Sequence, residues 1–289
     1  MTEIRFYDQA DDRQLRFAVI VTKTGGRWVF CKHRERSTLE VPGGHREPGE
    51  DILTTAKREL REETGAVDFG IEPVCVYSVT APGNFGGRET FGMLFYADVK
   101  TFEKELHSEI ERIVVQDGLP TAWTYPEIQP RLIDETLKRR AVAYRRLTAD
   151  DLETFIAMRI AQLREEGATE ELDLTPALMD YYRRHLADET FVSWLAVNAN
   201  RIVGTSGMSF VEKPPYFGCP SGRIGLLSSM YTDPLYRRQG IAKKLLGLVV
   251  EEARARGCGS VQITASDMGV LLYRDFGFVK NDNFMQFRL

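Results

Sequence analysis

Glu59, Glu62 and Glu63 fall at i, i+3 and i+4. On a helix that spacing sets three carboxylates on one turn of one face. Like charges so close repel one another, and a cation among them relieves the repulsion. Oxygen-only ligands suit a hard cation, Mg²⁺ or Mn²⁺. A second group stands in the other half of the chain, Arg237-Arg238-Gln239-Gly240-Ile241-Ala242. It follows a strand-like run and opens a helical one. Unpaired backbone N–H groups at such a turn point toward an anion, and Gly240 allows phosphates to come close.

The carboxylates sit inside a longer string. It runs Pro42-Gly43-Gly44, then Glu50, then Arg58-Glu59-Leu60-Arg61-Glu62-Glu63-Thr64-Gly65-Ala66. The string resembles the box of the Nudix hydrolases at every fixed position except the last apolar one, where the small Ala66 stands. The resemblance implies metal-dependent cleavage of the diphosphate in a nucleoside diphosphate joined to a further group, (d)NTPs and oxidised nucleotides included. It implies that Glu59, Glu62 and Glu63 hold the metal, with the Gly44 carbonyl as a further ligand. Glu50 and Arg58 would brace the loop against the helix. Relatives often recruit one more acidic residue outside the box, and Glu109 and Glu111 are the candidates. Many Nudix chains carry an aromatic shortly before Pro-Gly-Gly, and Leu39 stands in that region here. His33 reads as strand surface and His45 as a loop residue.

In the second half, Leu272-Tyr273-Arg274-Asp275-Phe276-Gly277-Phe278 follows Arg237-x-x-Gly240-x-Ala242. The pair, in that order, resembles the GNAT acetyltransferases. The resemblance implies that the pyrophosphate of acetyl-CoA sits on Arg237, Arg238, Gln239, Gly240, Ile241 and Ala242. The pantetheine arm would pair with a splayed strand at Met230, Tyr231 and Thr232. Tyr273 would protonate the leaving thiolate. No residue identifies itself as the base for an acceptor amine; Glu212 is the one candidate raised, in a loop beside Lys213-Pro214-Pro215.

These groups need elements to hold them. Arg16–Thr22 and Trp28–His33 read as strands of a hairpin turning at Gly25-Gly26. Ile52, Leu53, Ala56 and Leu60 recur at helical spacing, so they should face a core, with Gly65 placed as the stop. Pro73–Val79 and Thr90–Ala97 read as strands around a loop at 82–87, which could border a substrate cleft. Arg131–Arg140 reads as a helix. The pattern then restarts: Ala141–Leu147 is strand-like, and Thr148-Ala149-Asp150-Asp151 has N-cap chemistry. It opens a helix with Leu152, Phe155, Ile156 and Ile160 inward. Leu226–Thr232 reads as a strand. A helix runs from Ile241 to about Arg256, with Leu245, Leu248, Val249 and Ala253 inward. Val261, Ile263 and Ala265 alternate as a strand, and a short helix, a turn and a strand follow.

The expected class is α/β with mixed sheets, a Nudix α/β/α sandwich at 1–140 followed by a GNAT mixed-sheet domain at 141–289. The length of 289 residues suits two domains. The net charge of -4 is no nucleic-acid footprint. The acidic excess lies wholly in the half that carries the acidic string. No apolar run approaches the roughly 18 residues of a membrane span, and the N-terminus lacks a signal pattern. The 4 cysteines are scattered without a C-x-x-C pair, which argues against structural zinc and a disulfide scaffold. A cytoplasmic setting follows, with small-molecule partners: a nucleotide-type substrate, acetyl-CoA and an amine acceptor. The reading is a bifunctional enzyme. The alternative is that one half binds a ligand and regulates the other.

Overall fold

A computed structural model describes residues 2–82, 87–106, 109–169 and 172–280, with Met285 and Phe287. Residues 83–86 of the expected cleft loop, and the segment after Phe278 from 281 to 284, lie outside the described residues. The chain divides into two compact units, Met1–Ala141 and Val142–Leu289.

The first unit is built on a mixed seven-stranded sheet. Its strands are β1 (Glu3–Tyr7), β2 (Leu15–Thr24), β3 (Arg27–His33), β4 (Gly43–His45), β5 (Ala66–Thr80), β6 (Thr90–Phe102) and β7 (Ile110–Gln116). The order is β1-β5-β6-β2-β3-β7, with β4 paired to β2. The β2–β6 pair is parallel and the others are antiparallel. Both faces are covered, and alternation along each strand shows why. Ala18 and Ile20 of β2, Val76 of β5, and Phe95 and Ala97 of β6 pack on α1 (Ile52–Thr64). Their neighbours Val21, Cys75, Tyr77, Leu94 and Tyr96 pack on α2 (Gln129–Arg139). The result is a helix–sheet–helix sandwich.

Two expectations shift here. The strand expected at Pro73–Val79 begins at Ala66, directly after the helix stop. Its register breaks between Ala66 and Phe69 and again at Pro73, which has no N–H to give the ladder. Leu53 is 38% exposed rather than inward. Thr55 takes a place on the buried face, its hydroxyl donating to Glu50.

The second unit holds a six-stranded sheet, β13-β12-β11-β10-β8 with β9 on β11. The strands are β8 (Ala143–Arg146), β9 (Phe191–Val192), β10 (Trp194–Asn198), β11 (Arg201–Glu212), β12 (Arg223–Thr232) and β13 (Ser260–Gln262). Among the described residues only β12–β13 is parallel. One face packs on α3 (Leu152–Glu165) and α4 (Thr175–Ala187) through Phe155, Ile156, Tyr182, Leu195 and Ile202. The other packs on α5 (Ile241–Ala255) through Leu245, Leu246, Val249, Ala196 and Val203. A Cβ on Gly204 of β11 would lie 3.1 Å from Ile241, so glycine there lets α5 approach the sheet. The N-cap expected at Thr148 is a capping box with Asp151.

Here too the helix faces needed correction. Leu246 and Val250 are buried and Leu248 is only half-buried, so the inward face of α5 is turned toward β12 and the last helix, α6 (Val270–Phe276). The strand expected through Ala265 stops at Gln262, where β13 ends its pairing with β12 at Leu226. Helix α4, which opens on Thr175-Pro176, is an element the sequence analysis did not expect.

Candidate active sites

The first site forms where α1 meets β4. Asp51 caps α1, its carboxylate accepting from the Thr54 N–H at 2.7 Å. Gly65 ends it in the left-handed conformation (φ 69), its N–H donating to the Arg61 carbonyl at 2.7 Å. Glu59 and Glu63 lie on the same side of the helix as Ile52 and Ala56, so both are half-buried, while Glu62 is exposed. The Glu59 carboxylate rests on the Cα of Gly44, where a Cβ would lie 2.2 Å from it. Glu63 accepts from the Gly43 N–H at 2.8 Å. Burial holds the Glu59 carboxyl above its usual range. Burial pushes Glu63 up to about 8, with Glu59, Glu40 and Glu109 adding repulsion and the Gly43 hydrogen bond opposing.

Arg58 organises the surroundings. It donates to both Glu50 oxygens at 2.9 and 3.2 Å, to Glu59 at 2.9 Å, to Glu62 at 3.0 Å and to the His45 carbonyl at 2.9 Å. Glu50, facing that guanidinium and the Thr55 hydroxyl, is lowered to about 2. Glu50 and Arg58 thus tie the loop to the helix. A cleft of 510 Å³ opens beside them, lined by Glu59, Glu62, Glu63, Glu103, Glu105 and Glu109. Glu109 therefore faces the box, whereas Glu111 is turned to Lys32 and Arg112. Glu103 and Glu105 were not singled out in the sequence; they reach the cleft only because β6 ends beside Gly65.

The donor set fits a hard dication in kind, and carboxylates pushed up by burial and mutual repulsion mark a place short of positive charge. Among the described residues no three ligating side chains converge closely enough to enclose an ion. Arg58 supplies the positive charge between Glu59 and Glu62 in this arrangement.

The second site forms where β12, still paired with β11, runs past the end of β13. Between Thr205 and Gly207 the β11–β12 register shifts, so Ser229 and Met230 bulge. Ser229 has φ 52, and the Tyr182 hydroxyl, at 3.2 Å, and the Thr205 hydroxyl, at 2.8 Å, hold the bulge. Beyond Leu226 the β12 strand has no pairing with β13, so Met230, Tyr231 and Thr232 lie on an open stretch. Asp233 then caps a short turn, Pro234–Tyr236, and Arg238 (φ 60) and Gly240 (φ 80) bend the chain into α5. A Cβ at Gly240 would meet nothing within 4 Å, so the turn is open at that point. Gln239 donates to the Leu235 carbonyl at 3.2 Å, Ile241 is buried and Ala242 half-buried.

Arg237 is engaged rather than free. Its Nε donates to the Thr232 carbonyl at 2.9 Å and its Nη2 to Glu165 at 2.6 Å. Glu165, at the end of α3, also accepts from the Tyr231 hydroxyl at 3.0 Å. Tyr273 is buried against Phe278, and burial, with the Glu166 charge, raises it to about 12, so it keeps its proton near neutrality. Glu212 pairs instead with Arg223 at 3.2 Å, at the far end of β11. Glu165 was missed in the sequence because only the packing of α3 brings it to β12.

Comparison with known proteins follows the same division. The family model for the NUDIX domain matches residues 12–123, and that for the acetyltransferase (GNAT) family matches residues 155–278. A Bacillus subtilis protein named "Putative 8-oxo-dGTP diphosphatase YtkD" is 30% identical over 105 residues, 36% of this chain and 62% of that protein. N-acetyltransferase 8B of Rattus norvegicus is 33% identical over 111 residues, 37% of this chain and 48% of that protein. The chain thus spans less than two thirds of the curated relatives it matches. A crystal structure of a predicted acetyltransferase with acetyl-CoA from Clostridium acetobutylicum is 30% identical, with a TM-score of 0.50; the match covers 51% of this chain and 96% of that one. The second unit belongs to the GNAT acetyltransferase family, and the first carries a NUDIX domain.

Proposed function

We propose that the chain is a bifunctional enzyme of two domains, 1–140 and 141–289. The first hydrolyses the diphosphate linkage of a nucleoside diphosphate derivative, (d)NTPs and oxidised nucleotides included. The observation that supports it is the cleft that gathers Glu59, Glu62 and Glu63 with Glu109. Glu59, Glu62, Glu63 and the Gly44 carbonyl hold Mg²⁺ or Mn²⁺, and Glu109 rather than Glu111 is the additional acidic residue. The bound ion supplies charge neutralisation at the diphosphate and a more acidic water. Arg58 and Glu50 fix the loop against α1, so the carboxylates keep their relative places.

The second domain transfers the acetyl group of acetyl-CoA to an amine. The open stretch of β12 beyond its bulge supports this reading. Met230, Tyr231 and Thr232 offer backbone groups to the pantetheine arm. Arg238, Gln239, Gly240, Ile241 and Ala242 surround the diphosphate, with Arg237 beside them. Tyr273, protonated near neutrality, gives its proton to the leaving thiolate. A reducing, cytoplasmic setting suits Cys31, Cys75, Cys219 and Cys258, all of them free. No described helix is long and apolar enough to cross a membrane.

The deciding experiment offers the full chain nucleoside diphosphate derivatives and CoA with Mg²⁺, then acetyl-CoA with a panel of amines, read by mass spectrometry. Cleavage at a diphosphate and acetylation of an amine are the expected products. Turnover by one half alone, with the other half's ligand merely shifting its kinetics, would replace this reading by a regulatory one.

A further inference from the structure

Three groups from different elements meet at the mouth of the second site. Glu165 closes α3, Tyr231 lies on the open stretch of β12, and Arg237 begins the loop into α5. One Glu165 oxygen accepts from Tyr231 at 3.0 Å and the other from Arg237 Nη2 at 2.6 Å. The guanidinium also stands 5.6 Å from the centre of the Tyr231 ring, and its Nε is held by the Thr232 carbonyl at 2.9 Å.

The atom that Glu165 takes decides the consequence. A guanidinium grips a phosphate with two parallel N–H donors, from either its Nε–Nη2 edge or its Nη1–Nη2 edge. Nη2 belongs to both edges. Each edge uses a different Nη2 hydrogen, so Thr232 on Nε closes the Nε–Nη2 edge, and a phosphate that takes the Nη1–Nη2 edge must share Nη2 with the Glu165 carboxylate and meet its charge. We propose that Glu165 is a positioning residue that holds Arg237 toward α3 until the diphosphate of the acyl donor competes for it, so that loading of the donor frees a carboxylate at the end of α3.

The proposal rests on the reading of this domain as an acetyl-CoA site. A diphosphate carries more negative charge than one carboxylate, so it wins Arg237 at a cost set by the Glu165 bridge. Both partners of that bridge keep side-chain exposures of 32%, so water screens it and the cost is small. Once Arg237 turns away, Glu165 keeps the Tyr231 hydroxyl but loses its counter-charge. A carboxylate left in that state attracts a cation, and the acceptor amine is cationic before it gives up its proton. Donor binding and acceptor binding are thereby coupled through one side chain, in the same direction from either side.

Calorimetry with acetyl-CoA on the full chain, in EDTA so that hydrolysis is silent, tests the proposal. Glu165→Gln keeps an acceptor for Tyr231 and removes the charge, so it should bind acetyl-CoA about two- to fivefold tighter, the range that a partly exposed ion pair supplies. Arg237→Gln should bind roughly tenfold more weakly than the parent. The double variant should match Arg237→Gln, because Glu165 acts only through Arg237. Unchanged or weaker binding by Glu165→Gln overturns the proposal. So does a tightening that survives in the Arg237→Gln background, since it would report general charge repulsion. An absence of heat with the parent protein removes the acetyl-CoA reading itself, and this inference with it.

Discussion

Glu63 is a carboxyl that the fold holds against its own ionisation. Burial is the main cause, and it lifts the group from 4.5 to about 8. The folded state therefore binds a proton that the unfolded state has released above pH 4.5. Stability from this group is present at low pH and is lost as pH rises through about 8. Thermal melts of the metal-free protein should show the first unit weakening between pH 5 and 8.5, and Glu63→Gln should flatten that slope; an unchanged slope would contradict the assignment. Divalent metal should bind with release of a proton and more tightly as pH rises over the same window. Glu62 makes a different prediction. It is exposed and bonded to Arg58 at 3.0 Å, so Glu62→Gln relieves repulsion but gives up an ion pair, and the metal-free fold should change little. Hydrolysis should fall by orders of magnitude. Full Mg²⁺-dependent turnover by Glu62→Gln would remove it from the site.

At the scale of elements, the short strand β4 abuts Glu59 and Glu63 of α1, and its two glycines answer to different neighbours. A Cβ on Gly44 would press on the Glu59 carboxylate, the movable end of a side chain. Gly44→Ala should therefore keep the fold, costing about 1 kcal/mol or less, and lose hydrolysis as Glu59 is displaced. A Cβ on Gly43 would lie 2.5 Å from the Ala18 carbonyl oxygen and 2.9 Å from the Val19 Cα, which are backbone of β2. Gly43→Ala should cost roughly 1–3 kcal/mol, because a strand must move. Parallel urea melts and activity assays separate the two; equal melts would refute the distinction. In the second unit the turn into α5 makes a matching pair. Gly240→Asp strains a left-handed position and puts negative charge where the diphosphate sits, so acetyl-CoA affinity should drop more than roughly tenfold. Tyr273→Phe retains the ring against Phe278 and removes the proton donor, so binding should persist while transfer slows. Calorimetry paired with turnover on the full chain reads both, and unslowed transfer by Tyr273→Phe would assign the residue to packing.

For the whole molecule, each unit has its own sheet and its own apolar clusters. Residues 1–141 and 142–289, expressed separately, should each unfold in one cooperative transition by scanning calorimetry. A piece that shows no transition alone would make that unit dependent on the rest of the chain. The two proposed activities should then separate with the pieces, hydrolysis with the first and acetyl transfer with the second.

What the sequence determined by itself was whatever is written locally. The i, i+3, i+4 glutamates, the Gly65 stop, the Thr148 cap and the turn at Gly240 are all settled within one or two helical turns, where spacing and backbone chemistry act directly. Helix faces were legible only to within a turn, as Leu53, Leu246 and Val250 show, because the neighbouring elements decide which flank of an apolar stripe is covered. The choice between Glu109 and Glu111 was closed to the sequence. They are two residues apart, and only the pairing of Lys32 on β3 with β7 turns one outward and leaves the other in the cleft. Glu165 was closed to it for the same reason: 66 residues separate it from Tyr231 and 72 from Arg237, and no local rule reports a contact over that distance. Tertiary packing alone brings the end of α3 onto the open edge of β12, and with it the carboxylate that holds Arg237.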